Sequence, residues 1–233
     1  MSVMFLGFLM GLRHALEADH VAAIAALSSR TSSTREAVRI GLVWGLGHTV
    51  TLLIVGTLVV VLDAVAPVQF AAYLELAVGV MLVALGVDVI RRVVRDRIHF
   101  HVHGHTSGVV HFHAHAHKGA RTHGEEAHHH VHPKGFPYRA LLVGLMHGMA
   151  GSAALILLTI SKVDSVALAV GYMALFGVGS LLGMGTLSVI IAWPLRATAR
   201  SLTWVHNGLQ CVLGIATVTL GVLLIHDTLD IVV

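Results

Sequence analysis

Gly11-Leu12-Arg13-His14-Ala15-Leu16-Glu17-Ala18-Asp19-His20 lies inside an apolar run from Val3 to Leu27. Such a run is long enough to cross a bilayer, whose hydrocarbon core takes about 20 helical residues. Two imidazoles and two carboxylates within it are costly, since insertion scales put a central charge at roughly 2.5–3.5 kcal/mol. Groups of this kind persist where they face a polar cavity or an ion path. Imidazole with carboxylate is also a ligand set for divalent transition metals. The stretch reads as an intramembrane metal site, and the chain as a metal-ion permease.

Composition agrees. Of 233 residues, 56% are hydrophobic and 12% charged, about half the charged share of a soluble domain. The expected fold is an all-α polytopic membrane protein with six transmembrane helices, near 3–27, 37–62, 71–93, 138–161, 166–193 and 203–226. Residues 1–94 form a first three-helix unit, 95–137 a hydrophilic histidine-rich loop, and 138–233 a second three-helix unit. Pro67, Pro133 and Pro137 fall between spans, and Pro194 is expected to close the fifth. The first run is too long and too rich in ionisable groups for a cleaved signal peptide. The lone cysteine, Cys211, excludes an internal disulfide or a cysteine-built metal cluster and reads as a packing residue.

Basic residues orient the chain. Arg30, Arg35, Arg39, Arg91, Arg92, Arg95, Arg97, Lys118, Arg121, Lys134, Arg139, Arg196 and Arg200 share one side, against Lys162 on the other. By the positive-inside rule the rich side is cytoplasmic. Both termini then lie outside the cytoplasm and the histidine loop within it. The same bias accounts for the net charge of +3 without a nucleic-acid partner.

The chain also repeats itself. Gly11-Leu12-Arg13-His14 aligns with Gly144-Leu145-Met146-His147, and Trp44-Gly45-Leu46-Gly47-His48 with Phe176-Gly177-Val178-Gly179-Ser180. Gly79 and Gly86 find Gly214 and Gly221. Halves with three spans each must enter the membrane in opposite senses, which predicts a 3+3 inverted repeat with its site near the midplane. Their chemistry differs, because Ser152, Ala153 and Ser180 stand opposite Asp19, His20 and His48.

His14, His48 and His147 lie about 13, 11 and 9 residues from the cytoplasmic ends of their spans, which is one band of depth at about 1.5 Å per residue. On a regular helix His14, Glu17 and His20 share one side, while Asp19 projects about 140° away from His14. Either the helix is broken here, or one carboxylate holds an imidazole instead of the ion. The expected metal residues are His14, Asp19 and His20, with Glu17 as a further member and His48 and His147 joining from other spans. A proton relay uses similar groups and is a rival. His206 and His226, near the ends of the last span, read as interfacial. Asp63, Glu75 and Asp88 also lie near span ends and take no transport role in this reading.

Between His99 and His132 stand 13 histidines, many alternating with other residues. Such a segment has too few apolar residues for a core and is expected to be disordered. It would chelate divalent metals loosely, as a buffer or sensor. No phosphate loop and no HExxH metalloprotease motif occurs in the sequence, so neither self-powered transport nor that enzyme class is expected. No catalytic cofactor is expected either.

His14, Asp19 and His20, within Gly11-Leu12-Arg13-His14-Ala15-Leu16-Glu17-Ala18-Asp19-His20-Val21-Ala22-Ala23-Ile24, resemble the signature of the nickel/cobalt transporter family. Its hallmark is His, four residues, Asp-His. Gly45-Leu46-Gly47-His48-Thr49 is similar to the family's second motif. Gly144-Leu145-Met146-His147-Gly148-Met149-Ala150-Gly151-Ser152 departs from the classical acidic motif and resembles the shorter, urease-accessory-type branch of nickel permeases. The resemblance implies Ni²⁺ or Co²⁺ as transported substrate and a requirement for His14, Asp19 and His20. It also implies a cell (inner) membrane location, and metallochaperones or urease or hydrogenase maturation proteins as cytoplasmic partners. Uptake is expected; efflux and a non-transporting sensor or accessory role are the alternatives.

Overall fold

The computed structural model describes residues 3–29, 31, 33–62, 68–95, 98–104, 110–116, 136–160, 165–201 and 203–232. Arg30, Asp63, Pro67, Arg97, Lys118, Arg121, Pro133, Lys134, Lys162 and the histidines at 105, 117, 123, 128–130 and 132 lie outside them. The helices are α1 (Val3–His14), α2 (Ala18–Ser28), α3 (Thr34–Val61), α4 (Val68–Arg95), α5 (Tyr138–Ile160), α6 (Val166–Ser201) and α7 (Thr203–Val232). Among the described residues, four helices are long and apolar enough to cross a membrane: Thr34–Val61, Gln69–Arg95, Val166–Thr198 and Trp204–Leu229. Their outward faces are apolar, with Ile54, Val80, Ile190 and Val212 more than half exposed, as suits lipid contact. The protein is an integral membrane protein with a helical body.

Three expectations change in detail. The first span is not one helix, because it breaks between His14 and Ala18. Pro194 does not close the fifth span, since α6 runs through it to Ser201. A proline removes one backbone hydrogen bond, a loss that membrane helices tolerate where neighbours satisfy the freed groups. The carbonyl freed in this way is that of Ile190, one turn before the proline. Within the loop expected to be disordered, Ile98–Gly104 (β1) pairs antiparallel with Val110–Ala116 (β2), setting His99 opposite His115 and His101 opposite His113. Histidine alternating with Phe, Val and Ala has the period of two that a strand requires.

Helix pairing follows the small residues. α1 packs on α6, α5 on α3, α3 on α6 and α4 on α7, while α2 is wedged among α3, α4, α6 and α7. A methyl group at Gly11 would run into the Phe176 carbonyl, and one at Gly144 into the Trp44 carbonyl. Likewise a methyl at Gly86 would lie 2.7 Å from the Gly214 oxygen, and one at Gly221 2.7 Å from the Gly79 oxygen. In lipid, where helices gain little from hydrophobic association, such close approach supplies the packing.

Polar side chains tie the ends of α2, α4, α5 and α7 together. Asp88 on α4 accepts from Arg139 on α5 at 3.2 Å and pairs with Arg92 at 3.5 Å. Arg92 also donates to Ser29 Oγ, and Gln210 on α7 to the Ser29 carbonyl. His206 lies within this end, its Nδ1 donating to the Leu195 carbonyl at 2.9 Å, and His226 is exposed beside Asp227.

The close crossings should not accept side chains. Gly144→Val is expected to lower the melting temperature in detergent by on the order of 5–10 °C or to prevent folding. Gly208→Ala, at a position open for 4 Å around, should leave melting unchanged or slightly raised. Fluorescence-detected size exclusion after heating checks both, and equal behaviour of the two variants would contradict the packing.

Candidate metal centre

The break in the first span builds the site. Past His14 the amides of Leu16 and Glu17 turn back onto the carbonyls of Arg13 and His14, at 2.9 and 3.0 Å. Glu17 caps α2 in extended geometry (φ −65°, ψ 149°), yet its side chain makes no cap bond. Its carboxylate reaches back instead, Oε2 to His14 Nδ1 at 3.0 Å. Asp19, in the first turn of α2, lies where the positive end of the helix dipole favours an anion. His14, in the last turn of α1, lies at the opposite, negative end, which favours a cation. The 140° separation of a regular helix no longer holds, so both carboxylates and both imidazoles reach one centre.

Asp19 spans two histidines from different halves of the chain. Its Oδ1 accepts from His20 Nδ1 at 2.9 Å, and its Oδ2 from His147 Nε2 at 2.8 Å. A carboxylate accepts, so the ring nitrogen facing it carries the proton. In a neutral ring the opposite nitrogen then presents a lone pair. Those nitrogens are His14 Nε2, His20 Nε2 and His147 Nδ1. All three are buried with no hydrogen-bond partner among the described residues, as are both nitrogens of His48. A buried nitrogen left unpaired costs about 1–3 kcal/mol, and an ion that accepts its lone pair would relieve it.

The rings converge. His14 and His20 lie 4.2 Å apart between centroids, as do His20 and His147, and His48 stands 5.2 Å from His14 and 5.3 Å from His20. Ligand atoms of His14, His20 and His48 all fall within 4.8 Å of one another, and so do those of Asp19, His20 and His147. A transition metal about 2.0–2.1 Å from each imidazole nitrogen spans donors up to about 4 Å apart. Small side-chain adjustments would therefore close either set on an ion.

Aromatic walls enclose the cluster: Trp44 is 5.5 Å from His20 and 5.8 Å from His147, and Phe176 is 5.1 Å from His14. Beside it opens a cavity of about 860 Å³, whose lining includes His14, His20, His147, Asp19, Glu17 and Glu75.

A profile of the high-affinity nickel-transport protein family, NicO, matches residues 1–225. The chain belongs to this family. NicO membership extends well beyond the signature of the first two spans and makes the protein part of a nickel-transport family, not an enzyme family. The chain is also 31% identical to the urease accessory protein UreH of Bacillus sp. (strain TB-90). That similarity runs over 223 residues, 95% of this chain and 90% of the relative. No solved structure matches it.

All six residues singled out in this NicO sequence, His14, Glu17, Asp19, His20, His48 and His147, fall in one cluster. Sequence reasoning missed Trp44 and Phe176 as walls, although both stand in the repeat alignment one turn before His48 and Ser180. It also set Glu75 aside as a residue near a span end, whereas the carboxylate lines the cavity.

Residues with open nitrogens and residues that hold rings should separate on substitution. In protein lacking residues 99–132, His48→Ala and His20→Ala are expected to weaken Ni²⁺ binding at least about 100-fold, and Glu17→Gln only about 10-fold, the lower end for groups that orient a ligand. Isothermal titration checks this ranking. A loss in Glu17→Gln as deep as in His48→Ala would count against it.

Proposed function

We propose that the chain is a Ni²⁺ and Co²⁺ permease of the cell (inner) membrane, working in uptake through an imidazole site near the membrane midplane. His14, His20 and His48 are the ligands and His147 a fourth imidazole, with Glu17 and Asp19 holding the rings. The observation that carries this is the convergence of unpartnered, buried ring nitrogens from four helices at a break in the first span. Such broken helices form ion sites in secondary transporters. Nitrogen donors suit nickel and cobalt, which differ little in preference for imidazole.

Three further features support the finer reading. His48 is fourteen residues from Thr34 and thirteen from Val61, the two ends of α3, in keeping with a midplane site. The matched pairs of close approach, Gly11 on Phe176 with Gly144 on Trp44, and Gly86 on Gly214 with Gly221 on Gly79, are what a 3+3 inverted repeat of units 1–94 and 138–233 would produce. The cavity lining includes Glu75, Tyr172 and Leu224, which lie towards the ends of α4, α6 and α7 away from the basic residues. By the positive-inside rule those ends are outside, so the cavity gives the site access from outside, as uptake needs. The same rule places both termini outside and the 95–137 loop in the cytoplasm, where its histidines would buffer arriving metal.

A second reading is a metal sensor or accessory protein for metalloenzyme maturation, favoured by the name of the UreH relative, a urease accessory protein. Metal flux into proteoliposomes separates the two, with nickel, cobalt and zinc offered singly to wild type, His14→Ala and a 99–132 deletion. Nickel or cobalt flux is expected in wild type, lost to background in His14→Ala and largely kept in the deletion. Binding without flux in wild type would overturn the permease reading in favour of the accessory one. Flux only out of vesicles with the loop side inside would point to efflux.

A further inference from the structure

Glu75 is a carboxylate in a helix that otherwise has no use for one there. The other charged residues of Gln69–Arg95 are Asp88, Arg91, Arg92 and Arg95, all towards the far end. Glu75 is half-buried and shares the cavity-facing side of α4 with Val78, three residues on. Among the described residues no hydrogen bond or ion pair holds it. A carboxylate set in an apolar span without compensation is costly, and the packing of α4 on α7 supplies no reason for it.

The cavity supplies one. It holds about 860 Å³, space for on the order of thirty waters at about 30 Å³ each, so a divalent ion can enter with its hydration shell. The charged side chains on its wall are Glu17, Asp19, Glu75 and Arg13, three acids against one base, which leaves it negative while the imidazoles are neutral. Clefts lined by one sign of charge between low-dielectric walls concentrate the opposite ion. Glu17 and Asp19 are already occupied by His14 and by His20 and His147. Glu75 is then the acid on this wall left to meet the ion, and the cavity continues to His20, which is 1% exposed with Nε2 unpartnered.

We infer that Glu75 is the entry ligand of the cavity: it draws the hydrated divalent cation in and hands it to the histidines. A carboxylate oxygen suits this role because it holds a hydrated transition metal less tightly than converging imidazoles do. Charge and position set capture; the imidazole site sets passage.

The inference rests on the permease reading, and initial rates of Ni²⁺ uptake into proteoliposomes test it across a range of metal and salt concentrations. In Glu75→Gln and Glu75→Leu the KM is expected to rise about tenfold with the maximal rate kept, and the dependence of uptake on ionic strength to flatten. Glu75→Asp should restore most of both. An unchanged KM, or a fall in maximal rate alone, in variants that elute as folded protein would overturn the role of Glu75. Absence of uptake by wild type would instead overturn the permease reading, and direct titration then reads the inference: equal Ni²⁺ association rates in wild type and Glu75→Gln would sink it too.

Discussion

Everything at the centre of this protein depends on one carboxylate that accepts from two imidazoles. Asp19 reaches His20, its neighbour on α2, and His147 on α5, 128 residues along the chain. Inside a low-dielectric bundle such charge-assisted bonds are stronger than in water. They do more than hold helices together. By fixing the proton on His20 Nδ1 and His147 Nε2, they leave lone pairs on the far nitrogens. Glu17 does the same for His14. The acids thus leave each of three buried histidines with its lone pair on the nitrogen facing away from them.

The backbone makes this geometry reachable. Imidazoles on three helices approach to about 5 Å only where the helices themselves come close, and glycines permit that. Gly144 and Gly148 bring α5 against the stretch of α3 from Trp44 to His48, and Gly11 brings α1 against Phe176 and Ser180 on α6. Those contacts set the height of His14, His48 and His147 relative to one another. The break at 15–17 then turns α2 so that Asp19 and His20 enter the same space. Remove the close crossings and the ring nitrogens separate beyond the reach of one ion.

Much of this was legible in the residues. Ionisable groups inside an apolar run mark the candidate site, and equal depth joins His14, His48 and His147. The sequence leaves the helix break as one of two options, and the structure shows the break, with Glu17 and Asp19 each facing an imidazole. Periodicity could not decide this, because it assumes the regular helix whose failure was in question. Pro194 misled for a related reason, since the rule that proline ends a helix comes from chains in water. Alternating histidines between 98 and 116 were read by composition, which says disorder, whereas their period of two says strand. Glu75 was judged by its distance from a span end, a measure blind to the direction in which a cavity lies.

In the proposed inverted repeat the two halves would share a scaffold but not a chemistry. Trp44 and Phe176 take matched places, one beside His20 and the other beside His14, yet the position after each turn is His48 in one half and Ser180 in the other. Ser180 Oγ is fully buried without a partner among the described residues, so the second half keeps a polar side chain where the first places His48. Four imidazoles from matched halves would surround an ion symmetrically and hold it from all sides. In the proposed site His14, His20 and His48 come from the first half and His147 alone from the second, so the four imidazoles would not surround an ion symmetrically. An ion bound that way would keep room for exchange of its remaining waters, the asymmetry that a site releasing its cargo needs.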